Sequence, residues 1–148
     1  MSQTSPGPMR RPSPMEVLTY MGSINPATQH LDIKVLAAEP GRARFAMLVR
    51  PDMANTFGTC HGGIIFTLAD TAFGWTGNAT NEKAVTAGAS IEILAPAMVG
   101  DRLIADAVEV FREGRNVLLD VRVWREGTDV TVAHVRGRMR QVGGALLT

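Results

Sequence analysis

Apolar and polar residues recur along this chain with two periods, and the switches between them lay out its elements. Residues 1–13 follow neither period. They are rich in Ser, Pro and Gly and carry Arg10 and Arg11, a composition that predicts a disordered tail ahead of a single domain over 14–148. A short helix is predicted from Ser13, because Ser13-Pro14-Met15-Glu16 offers an N-cap, a proline at the first helical position and a glutamate placed to close a capping box. Val17, Leu18 and Met21 face the core in this reading, and Gly22 with Asn25-Pro26 ends the helix. Period two follows, with a strand over His30 to Ala38 and a turn at Glu39-Pro40-Gly41. In a second strand Ala43, Phe45, Met47 and Val49 alternate with Arg42, Arg44, Ala46, Leu48 and Arg50.

Residues 62–79 break that alternation. They are apolar on nearly every side, the pattern of a helix buried inside a protein, and beyond a glycine-rich start they carry no cap signal. Strands then return. Val85, Ala87, Ala89, Ile91 and Ile93 form one alternating face, followed by Leu103 to Arg112, by Val117, Leu119, Val121 and Val123, and by Val130 to Val142. Turn signals at Pro96, Gly100-Asp101, Glu113-Gly114 and Glu126-Gly127 separate them. Two strands, one long apolar helix and a run of antiparallel strands make an α+β domain. The helix has one sensible place to go, against the concave face of a curved antiparallel sheet that wraps it. That layout is the hotdog fold.

Composition narrows the function classes. The chain has 148 residues, the size of one domain, and 45% of them are hydrophobic. Charged residues are 20% and the net charge is +1, which argues against a nucleic-acid partner. A single cysteine forms no internal disulfide. No run approaches the roughly 20 apolar residues of a membrane span, and no signal peptide opens the chain. A cytoplasmic location is the expectation.

Candidate chemistry centres on Asp70. It is the one carboxylate in the apolar helix, and an ionised carboxylate there is costly unless paired or hydrogen-bonded. Active sites often use such a position to tune a carboxylate. At the start of the same helix, His61-Gly62-Gly63 presents unpaired backbone N–H groups at the positive end of the helix dipole, with glycine permitting close approach. That is a ready site for a developing oxyanion. Asp70 lies eight residues past Gly62, roughly 12 Å along the axis at 1.5 Å per residue. The two are too far apart to act on one carbonyl within one chain. A second chain with its helix alongside, antiparallel, brings one copy's Asp70 to the other's Gly62, so the spacing predicts a dimer with shared sites.

The segment from Asn55 through His61-Gly62-Gly63 and Leu68-Ala69-Asp70 to Ala72-Phe73 resembles the signature of hotdog-fold acyl-CoA thioesterases. Within these it is most similar to the phenylacetate-degradation (PaaI-type) thioesterases, and the resemblance runs from about Leu31 to Gly144, through Pro96, Gly100-Asp101 and Arg136-Gly137-Arg138. It implies that Asp70 is the catalytic carboxylate, either general base on water or nucleophile. It implies that the Gly62 N–H binds the thioester oxygen, that Asn55 helps orient the nucleophile or water, that His61 neighbours the thioester, and that Thr86 supplies a hydroxyl from the partner strand. The substrate it implies is an aryl- or medium-chain acyl-CoA. No cofactor or metal is implied, coenzyme A being part of the substrate. The implied assembly is a homodimer of hotdog chains, paired into a homotetramer.

Other residues have plainer readings beside the functional ones. Cys60 next to His61 reads as a small core residue, since nucleophile pairs are built by neighbours in space. His30, His61 and His134 have no ligand spacing. His134, Arg136, Arg138 and Arg140 share one face of the last strand, with Arg112 and Arg115 flanking the preceding hairpin. Such a stripe commonly guards an edge against aggregation. With Gly63, Arg136 and Arg138 are the candidates for holding the coenzyme A portion. Phe57, Phe66, Phe73 and Trp75 are candidates for an aromatic acyl pocket or plain core. Two other functions fit the fold: a non-catalytic acyl-CoA-binding protein, and an acyl-CoA or acyl-carrier-protein dehydratase-hydratase. The dehydratases need a histidine with an acidic partner on a differently patterned helix, and a sensor has no use for Asp70.

Overall fold

The computed structural model describes residues 7–148. Helix α1 (Pro14–Ser23) begins at the predicted capping box: the Ser13 hydroxyl accepts from the Glu16 N–H at 3.2 Å, and the Glu16 carboxylate accepts from the Ser13 N–H at 2.8 Å. Val17 and Leu18 are fully buried. The tail predicted over 1–13 falls partly outside the described residues, which omit 1–6; within the remainder, Arg10 pairs with Glu16 at 2.7 Å.

At Asn25-Pro26 the chain differs from the predicted pattern. Read as a stop, this pair instead starts a second short helix, α2 (Pro26–His30), with the Asn25 side chain accepting from the Thr28 N–H at 3.2 Å. Asn followed by proline serves as N-cap and first helical residue as readily as it serves as a terminator. Strand β1 (Lys34–Glu39) therefore begins four residues later than the predicted His30. Strand β2 (Arg42–Leu48) follows, and then a single 3-10 turn (Pro51–Met53). The long helix α3 (Gly62–Thr76) comes next, shorter than the predicted 62–79 because Gly77 caps it. Strands β3 (Ala84–Ile93), β4 (Arg102–Glu113), β5 (Asn116–Arg125) and β6 (Thr131–Gln141) complete one antiparallel sheet in the order β1-β2-β4-β5-β6-β3. This is the hotdog layout, with α3 held on one face of the sheet.

The core lies between α3 and that face. Ile65, Leu68, Ala69, Ala72 and Phe73 of the helix pack with Phe45, Leu103, Val117, Leu119, Val121 and Val135 of the strands. Close contact between layers depends on Gly137 in the middle of β6, over which the Phe73 ring sits. A Cβ at Gly137 would lie 2.5 Å from the ring, and Phe73 is fully buried with nowhere to retreat.

Strand β3 forms one edge of the sheet, and here the simple alternation fails. Only Ala84 of its ten residues is buried. The pairing with β6 slips between Thr86 and Gly88, leaving Ala87 as an extra residue. Beyond the bulge, Ala89 and Ile91 pair with the inward-facing Gly137 and Val135; before it, Thr86 pairs with inward-facing Met139. Strict alternation puts Thr86 on the opposite face from Ala89 and Ile91. The bulge turns it to the helix side.

We expect Gly137→Ala to destabilise the fold by about 1–3 kcal/mol through overpacking against Phe73, read as a lower denaturation midpoint with unchanged slope.

Candidate active site

Helix α3 starts where the sequence indicates, but it does have a cap. His61 is the N-cap residue, and its Nδ1 accepts from the Gly63 N–H at 3.1 Å. Gly63 is thereby engaged: its N–H is already taken. The Gly62 N–H finds no acceptor among the described residues, so it is the donor that points free at the positive end of the helix.

Asn55 stands beside this helix start, in a pocket of about 360 Å³ shared with Thr59, Gly62, Ile93 and Leu94. Its side chain is bound within its own loop. The Oδ1 accepts from the N–H groups of Phe57 at 2.9 Å and Thr59 at 3.2 Å, while Nδ2 donates to the Thr59 hydroxyl at 3.1 Å. In this geometry Asn55 shapes the turn that delivers the chain to Gly62. The same turn leaves Phe57 almost wholly in solvent.

Asp70 lies elsewhere, in a separate pocket of about 220 Å³ with Met21, Asn25, Gly74, Asn78 and Thr86. Its carboxyl is partly buried, and that burial raises its pKa above the ordinary aspartate value. The Thr86 hydroxyl donates to Asp70 Oδ1 at 3.4 Å and pulls the other way. Thr86 thus reaches Asp70 within its own chain, where the resemblance implied a hydroxyl from the partner strand. The geometry depends on the β3 bulge, whose only trace in the sequence is Gly88 inside an otherwise regular strand pattern.

Three further residues shape the site with no mark of that role in the sequence. Buried Asn78 donates to the carbonyls of Gly74 at 2.8 Å and Ala84 at 3.0 Å, and its Oδ1 accepts from the Ala84 N–H at 2.9 Å. It ties the end of α3 to the start of β3, two residues before Thr86. Met21 and Asn25, at the corner between α1 and α2, close the far wall of the Asp70 pocket. An asparagine just past a helix end carries no spacing signal that marks it as a clamp.

Of the aromatic candidates, only Trp75 borders this pocket; it is otherwise core, edge-on to Phe45 with ring centres 5.9 Å apart. Phe73 belongs to the core and Phe66 is half-buried against it. Cys60 is buried, which pushes its thiol pKa up to about 11 and leaves it a core residue rather than a nucleophile. On the outer face of β6, Arg136 is committed to Asp120 through two bonds of 2.7 and 2.8 Å. Arg138, near the β3 edge, donates to the Ala87 carbonyl at 3.3 Å.

One chain thus carries a free backbone N–H at one end of α3 and a half-buried carboxylate two turns along it. A family model described as "Thioesterase superfamily" matches residues 57–132. The acyl-coenzyme A thioesterase PaaI of Escherichia coli K12 is 34% identical over 117 residues, 78% of this chain and 82% of that protein. The solved structure of the E. coli PaaI protein from the phenylacetic acid degradation operon superposes with a TM-score of 0.86 at 30% identity, covering 89% of this chain and 95% of that one. A Streptococcus mutans UA159 protein solved bound to acetyl CoA superposes with a TM-score of 0.73 at 29% identity, covering 76% of this chain and 90% of that one. By family model, sequence and fold together, this chain belongs to the thioesterase superfamily and is a thioester hydrolase of the hotdog fold.

Proposed function

We propose that this enzyme hydrolyses acyl-CoA thioesters, with aryl- or medium-chain acyl groups such as phenylacetyl, at sites shared between two copies of the chain. The observation that carries the reading is the half-buried Asp70 held by Thr86 in one pocket while the free Gly62 N–H faces another. The named thioesterase relative and the relative bound to acetyl CoA support the substrate class.

A second copy supplies the missing half. Strand β3 is a ten-residue edge with no covering element among the described residues, and Val85 and Ile93 within it and Leu94 just past it are about half exposed or more. Natural proteins rarely leave such an edge open. Pairing β3 with β3 of a second chain about a twofold axis extends the sheet and brings Asp70 of one copy toward Gly62 of the other. Homotetramers form by pairing two such dimers.

In this reading the thioester carbonyl oxygen accepts from the Gly62 N–H. Asp70 takes a proton from water, and the resulting hydroxide attacks the carbonyl carbon. The negative charge on oxygen is held by the Gly62 N–H and the dipole of α3. Collapse breaks the C–S bond; coenzyme A leaves as a thiolate that takes the proton held on Asp70, which restores the carboxylate. Burial raises the pKa of Asp70 and makes its carboxylate the stronger base, which serves proton abstraction from water and direct attack alike. Asn55 keeps the Gly62 approach in shape, His61 caps the helix, and Arg138 with the adjacent β6 surface meets the coenzyme A phosphates. Arg136 contributes less, since Asp120 already neutralises it.

Thiol release from a panel of acyl-CoAs tests the hydrolysis. Turnover by the wild type and at least about a hundredfold loss in Asp70→Asn supports it. An inert wild type that still binds acyl-CoA points instead to a binding protein. Because the folded-state pKa of Asp70 is raised, its ionisation costs stability. The stabilising contribution of the protonated group is present below the unfolded value of about 3.9 and is lost as pH rises through the folded value. Asp70→Asn should therefore melt no lower than wild type at pH 7, with any advantage fading toward pH 4. The acid limb of kcat/KM in the wild type should have its midpoint above that of a free aspartate.

Shared sites are tested by mixing. Gly62→Pro deletes the donor at a helix position that accepts proline, and His61 has the extended backbone a preceding residue needs. Asp70→Asn and Gly62→Pro chains are each expected to be inactive alone. Unfolded and refolded together in equal amounts, they should recover about a quarter of wild-type activity, from mixed dimers with one intact site. No recovery despite mixed dimers would place the whole site in one chain.

A further inference from the structure

We propose that Gly74 sets the size of the acyl group this enzyme accepts, an inference that rests on the hydrolase reading above. Glycine is among the poorest residues for a helix interior, so one in the middle of α3 needs a reason. Three structural reasons are missing. Gly74 has no positive φ, it is not the C-cap, which is Gly77, and a Cβ added to it would meet nothing within 4 Å. No element among the described residues of this chain needs it for close approach. It leaves a bare patch of helix wall facing open space.

That space is the Asp70 pocket. Gly74 lies one turn past Asp70 on the same helix face, about 6 Å along the axis. Across from it stand Met21 and Asn25, carried to this side by α1, which packs so tightly on Trp75 that a Cβ at Gly22 would touch the indole at 3.4 Å. The Asn78 side chain holds the Gly74 carbonyl and the start of β3 together, so hydrogen bonds fix the helix wall relative to the Thr86 side of the pocket. An acyl carbonyl placed for attack by water on Asp70 sends its first apolar segment along this wall. At about 220 Å³ the pocket is smaller than the roughly 300–1,000 Å³ typical of whole-ligand sites, so it suits an acyl group of phenylacetyl size rather than the coenzyme. A side chain at position 74 would occupy the room the ring needs.

The experiment compares wild type, Gly74→Ala and Gly74→Leu on acetyl-CoA and phenylacetyl-CoA. The readout is the ratio of the two kcat/KM values, which does not depend on how much of a variant is folded. The expected result is a fall of about tenfold or more in the phenylacetyl-to-acetyl ratio for Gly74→Leu, with Gly74→Ala between. Met21→Ala, which widens the opposite wall, should move the octanoyl-to-phenylacetyl ratio upward. A wild type that hydrolyses acyl-CoAs with a ratio that moves less than about threefold across the three residues at position 74 overturns this proposal alone. A wild type inert on every acyl-CoA overturns the hydrolase reading, and the role of Gly74 falls with it.

Discussion

A fifteen-residue helix that is apolar on nearly every side has to be covered, and one six-stranded sheet cannot cover all of it. The sheet takes the side with Ile65, Leu68, Ala72 and Phe73. Helix α1 takes the side with Trp75. What stays partly open is the face with Thr67, Asp70 and Gly74, next to a strand edge that also lacks a neighbour. The site lies on the face where coverage runs out. The same shortage of cover that half-exposes Asp70 leaves the outer edge of β3 without a neighbour among the described residues, so the proposed second chain and the position of the carboxylate have one physical origin.

Asp70 sits at the boundary between core and solvent, and its properties follow from that position. Burial pushes its pKa up, while a single hydroxyl bond from Thr86 restrains the rise. Had β3 kept strict alternation, Thr86 would face away from the helix. One extra residue in the strand reverses that, and the Asn78 clamp sets where the strand begins relative to the helix. A bulge and a buried amide, neither of them apolar, thus tune the carboxylate. The opposite end of α3 uses the same economy. Imidazole satisfies one backbone donor, Gly63, and leaves the next, Gly62, free for a ligand.

Thioester hydrolysis suits so sparse an arrangement. The carbonyl is already electrophilic and the thiolate leaves readily, so one donor, one base and a placed water carry the chemistry. Most of the remaining design can then go to deciding which acyl group enters. In this chain that falls to the corner between α1 and α2 and to the bare helix wall at Gly74, elements that do not touch the scissile bond.

The periodicity of the chain determined the element order, the capping box at Ser13, the buried identity of α3 and the oddity of Asp70 within it, because each is a local pattern read within a few residues. The motif from His61 to Phe73 determined the family for the same reason. The short helix after Asn25 was legible but ambiguous, since Asn-Pro starts helices as well as stopping them. Which face Thr86 adopts, which guanidinium Asp120 neutralises and what walls the Asp70 pocket were decided only by the tertiary structure. Each depends on residues far apart in sequence: Ala87 slipping against β6, Arg136 meeting Asp120 across the sheet, and Met21 reaching a helix some fifty positions later. A one-residue slip in register reverses every side chain beyond it, and a lone Gly88 is the one local mark of where this slip falls.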